Sequence, residues 1–74
     1  MSHTKPNDWT RISHPDGSVT AVDSYGHVIG WTEHGALGWS ALWRSPGGDQ
    51  RRFADTSEDA ASVLRTALAE EAQR

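Results

Sequence analysis

The chain contains no cysteine, and that absence removes two classes of protein at once. Without thiols there is no disulfide framework and no thiolate metal centre. Apolar runs are short as well. None approaches the roughly 20 consecutive residues that a membrane-spanning helix needs, so no membrane partner is expected. Lysine is nearly missing: Lys5 stands alone against six arginines, a usage that fits a GC-rich coding genome such as that of an actinobacterium or its phage. The opening stretch, Met-Ser-His-Thr-Lys-Pro-Asn-Asp, lacks the apolar segment of a signal peptide. Residues 1–8 are therefore expected to form a disordered tail, and the expected location is cytoplasmic.

What remains is enough for one small domain of 74 residues. A domain of this size buries only about 60% of the surface that its unfolded chain exposes. A large substrate cavity has no room beside such a core, which argues against an enzyme. The histidines at 3, 14, 27 and 34 show no ligand spacing, and no nucleophile elbow or phosphate-cradling glycine loop is present. No catalytic residue, metal or cofactor is expected.

The net charge of −3 weighs against nucleic acid, whose binding draws mostly on neutralised phosphates. The charges are not evenly spread, however. Residues 39–53 hold Arg44, Arg51 and Arg52 against Asp49, while residues 54–74 hold Asp55, Glu58, Asp59, Glu70 and Glu71 against Arg65 and Arg74. A basic hairpin is followed by an acidic helix.

Turn chemistry and periodicity divide residues 9–74 into strands and one helix. Trp9–Ser13 and Ser18–Asp23 alternate around His14-Pro-Asp-Gly17, where Pro15 presets φ and Gly17 accepts a positive one. A third strand over 27–33 should place His27, Ile29 and Trp31 on one face and Val28, Gly30 and Thr32 on the other. Gly30 inside that run marks a bulge or a close backbone approach. The fourth strand, 38–44, sets Trp39, Ala41 and Trp43 against Ser40, Leu42 and Arg44. A Pro46-Gly47-Gly48 loop leads to a fifth, 50–53, with Phe53 expected to point at the helix. Thr56 is a good N-cap with an acid three residues on, and Ala60, Val63, Leu64, Ala67 and Leu68 form one apolar stripe. The predicted fold is α+β: an antiparallel meander of four to five strands with one C-terminal helix, about 57–72, on one face.

The segment Trp39-Ser-Ala41-Leu-Trp-Arg44, the glycine turn, Phe53 and Thr56-Ser-Glu-Asp-Ala60-Ala61 with Leu64 resembles the three-stranded-sheet-plus-helix DNA-binding domains. These are the plant ethylene-response-factor domain and the arm-type domains of phage tyrosine integrases. The resemblance covers the C-terminal half and implies a sheet whose outer face lies in the DNA major groove, backed by the helix. By that resemblance Trp39, Arg44 and Arg52 are DNA contacts, and Ala41, Phe53, Ala60 and Leu64 are packing residues. The chain departs from the family in having no arginine between His27 and Glu33, Leu42 at a polar contact position, and an additional N-terminal hairpin.

Four tryptophans in so short a chain point to a core or an interface, and one helix covers only one sheet face. The sheet-face residues expected to bind are Trp39, Arg44, Arg52, Trp31 and Leu42. Two partners fit them. The first is a DNA duplex, for a small accessory protein of a phage or mobile element. The alternative is a host protein bound by an interaction module, or a second copy in a homodimer.

Overall fold

A computed structural model describes residues 9–73. The expected tail over residues 1–8 lies outside the described residues. The rest is the predicted α+β meander. Strands β1 (Trp9–Ser13), β2 (Val19–Asp23), β3 (Val28–Gly35), β4 (Gly38–Trp43) and β5 (Gln50–Ala54) form one antiparallel sheet in sequence order, and helix α1 (Ser57–Ala72) follows. The helix lies across β3, β4 and β5.

Local chemistry sets the ends of these elements. Gly17, Gly26, Gly38 and Gly48 take positive φ where the hairpins reverse, a conformation that costs glycine nothing. The Thr56 hydroxyl oxygen accepts from the Asp59 N–H at 3.1 Å and so begins the helix, whose first turn carries Glu58 and Asp59 at its positive end.

The core sits between helix and sheet. Ala21, Ala41 and Trp43 from the strands meet Leu64, Ala67 and Leu68 from the helix, with Trp9, Ile29 and Val63 packed around them. Leu64 is almost fully buried, a burial that contributes about 1.5–3 kcal/mol. It rests on the backbone of Gly30, which lets the helix come this close. Buried Thr32 serves the core in another way, since its hydroxyl oxygen accepts from the Val19 N–H at 2.9 Å and ties β2 to β3.

The simple alternation expected for the third strand does not hold. Ala21 pairs with Gly30 but Val22 pairs with Val28, so Ile29 is an extra residue in β3. This bulge turns Ile29 into the core beside Gly30, while Val28 and Trp31 lie on the other face. Phe53 is a second correction. It pairs with Ser40 and is 51% exposed on the face away from the helix. The helix-side position at that end of β5 belongs to small Ala54, the partner of Trp39. The Trp39 ring lies on the helix side and reaches toward the first hairpin, with its Cη2 3.7 Å from where a Cβ on Gly17 would sit and Ser57 beside it.

Candidate functional site

Cross-strand register defines what the uncovered face presents. Trp31 pairs with Leu42 and Leu42 with Arg51; Glu33 pairs with Ser40 and Ser40 with Phe53. Directly paired residues share a face, so these six side chains form a block at the centre of the open side. Ile12 and Thr20, paired in β1 and β2, extend it toward the first hairpin. Arg44 and Val28 border it at one end.

The block is organised by two arginines lying on two aromatic rings. The Arg44 guanidinium carbon is 5.9 Å from the Trp31 ring centroid, and that of Arg51 is 5.8 Å from the Phe53 centroid. Glu33 joins the two halves, accepting from the Trp31 indole N–H at 3.4 Å and from Arg51 at 2.9 Å. These long side chains roof the small residues beneath them. Ser40 and Leu42 are consequently buried although no element among the described residues covers that face. The groups left for a partner are Trp31, Arg44, Arg51 and Phe53, with Ile12 and Val28 at the margins.

The five residues singled out from the sequence are thus divided. Trp31, Leu42 and Arg44 come together on the open face, with Leu42 as the covered floor. Trp39 and Arg52 are on the helix side: Trp39 stacks at 5.0 Å from the His34 ring, and the Arg52 guanidinium lies 5.9 Å from the Trp43 ring. The reason is strand parity, because Arg52 pairs with Ala41 and Trp39 with Ala54, both on the core side. Sequence reasoning missed Arg51, Phe53 and Glu33. The signal for the first two was available: residues 51 and 53 share a face by alternation, and the register to β4 shows which face it is.

The electrostatics of the two sides differ. The open face carries Arg44 and Arg51 against Glu33, while Glu58, Asp59, Glu70 and Glu71 belong to the helix on the opposite side. Among the described residues no cluster of acidic and histidine side chains is arranged to hold a metal ion, and no helix is long and apolar enough to cross a membrane. Comparison with protein-family models, with curated proteins and with solved structures finds no match.

Proposed function

We propose that this chain is a small non-catalytic binding module that takes a protein partner on its open sheet face. The observation that carries this reading is the pairing of open-face aromatic rings with arginines, half-buried Trp31 with Arg44 and exposed Phe53 with Arg51, over a covered floor. Aromatic residues and arginine are the groups enriched where protein interfaces concentrate their energy. Arg44, at the border of the block, adds a positive charge to the paired Arg51 and Glu33 and favours a partner surface bearing carboxylates.

A DNA duplex is the second reading, favoured by one observation: the acidic helix is turned away from Arg44 and Arg51. The width of the sheet counts against it. Five strands at about 4.8 Å spacing span about 19 Å between the outer strands. A major groove is about 12 Å wide and admits a two-stranded ribbon. The three-stranded unit β3–β5 would seat in it, but β1 and β2 continue the same sheet.

The test is a photo-crosslinking amino acid placed at Phe53 on the open face or at Ser62 on the exposed part of the helix, in cells that produce the chain. The protein reading expects a discrete polypeptide adduct from position 53 that is lost with Arg44→Glu, and none from position 62. An adduct of twice the chain's mass identifies a second copy as the partner. Equal adducts from both positions, or none, contradict the reading. Saturable, steeply salt-dependent binding of a mixed-sequence duplex, lost with Arg44→Ala and Arg51→Ala, would establish the second reading instead.

A further inference from the structure

We propose that Arg44 and the hollow beside it form an anchor for a carboxylate carried on an apolar group, and that the open face grips its protein partner there. This deepens the protein-binding reading and rests on it.

The anchor begins with the bulge in β3. The backbone N–H of Arg44 donates to the Ile29 carbonyl at 3.0 Å, and its Nε–H donates to the Val28 carbonyl at 2.9 Å. The side chain thus holds one carbonyl of the bulge and the main chain the next. With the guanidinium also set against Trp31, the fork is held at two points before any ligand arrives. Its two terminal nitrogens have no partner among the described residues. Arg51 and Arg52 differ in this respect. Arg51 is paired with Glu33, and Arg52 lies on the helix side against Trp43. A planar fork with both outer nitrogens free is the geometry that receives a carboxylate through two parallel hydrogen bonds. Because the fork is already held, less side-chain freedom is lost on binding.

Beside it lies a hollow of about 690 Å³ lined by Asp23, Gly26, His27, Val28, Ile29 and Arg44. Val28 and Ile29 give it an apolar wall next to the arginine. The one carboxylate on its rim among the described residues, Asp23, is engaged by the turn: Oδ1 accepts from the Tyr25 and His27 N–H groups at 2.9 Å each, and Oδ2 lies 3.7 Å from His27 Nδ1. An apolar C-terminal residue of the partner, which carries its own free carboxylate, meets both halves of the site.

Phenylacetate is the minimal probe, titrated into the full chain and followed by NMR at the Arg44 Nε–H, the Trp31 indole N–H and the Val28 methyls. We expect saturable shifts at all three with a Kd of about 1–10 mM, the range open to so small a ligand. Arg44→Gln should weaken binding at least about fivefold and Arg44→Lys less, since lysine keeps the charge without the fork. Arg65→Gln, at an exposed position of the helix, should leave it unchanged. Unaltered helix resonances show that each variant is folded. Three results overturn the proposal: no saturable shift, equal binding of 2-phenylethanol, or equal shifts from inorganic phosphate alone. If the probe fails while the crosslink from position 53 persists, the anchor is wrong and the protein-binding reading stands. If the probe binds and the crosslink is absent, Arg44 and the hollow take carboxylates, but their role as the grip on a protein partner is overturned with that reading.

Discussion

Leu64 lies on Gly30 so closely that a Cβ built on the glycine would come within 2.6 Å of the leucine Cδ1, and within 3.1 Å of the Leu42 carbonyl oxygen. Leu64 is at the centre of the core and cannot swing away, and the second obstacle is backbone. Gly30→Ala should therefore lower stability by about 1–3 kcal/mol through overpacking. Gly35, in the same strand, has nothing within 4 Å of its Cβ position and no positive φ. Gly35→Ala should be neutral or stabilising by up to about 1 kcal/mol. Thermal unfolding of the two variants separates a close-approach requirement at residue 30 from a general effect of glycine in β3.

Thr32 holds the far end of the β2–β3 pair through its hydroxyl. Thr32→Val keeps the shape but leaves the buried Val19 N–H without its acceptor, which costs about 1–3 kcal/mol. Amide exchange should reveal the local origin of the loss. Val19 is expected to lose protection by more than the change in global stability accounts for, while the helix amides follow the global change.

Two turn carboxylates give stability a pH dependence. Hydrogen bonds from the Ser18 hydroxyl, at 2.6 Å, and the Ser18 N–H hold the Asp16 carboxyl below its ordinary value of 3.8. The His27 N–H, with that of Tyr25, does the same for Asp23. A folded-state pKa below the unfolded one contributes stability that is complete above the unfolded value and is lost as pH falls through the folded one. The turns should thus weaken below pH 3.8. The melting temperature of Asp16→Asn/Asp23→Asn should fall less steeply with acid than that of the parent. Parallel curves would show that these turns contribute no linkage.

The fold was largely legible because its punctuation is chemical. Pro15-Asp-Gly17, Pro46-Gly-Gly48 and Thr56 mark two hairpin turns and the start of the helix, and the helical stripe ending in Leu68 has one apolar side to bury. The site was only half legible, because faces depend on register and register is non-local. One extra residue, Ile29, reverses the relation between Val28 and Trp31 that alternation alone predicts. Charged neighbours and a place just before the cap predict that Phe53 points at the helix, yet its pairing with Ser40 puts it on the open face. The family resemblance sets Arg52 beside Arg44 as a contact, although pairing with Ala41 sends it to the helix side.

Hydroxyl-radical footprinting, of the purified chain and of the chain inside the cells that make it, tests the central claim most directly. Trp31 and Phe53 lie on the open face, whereas half-buried Val63 and exposed Arg65 belong to the helix on the opposite side and serve as internal references. If the open face holds a partner, oxidation of Trp31 and Phe53 falls in the cell relative to Val63 and Arg65. If the four residues keep the same ratios in both settings, the open face is unoccupied and the binding function assigned to it is wrong.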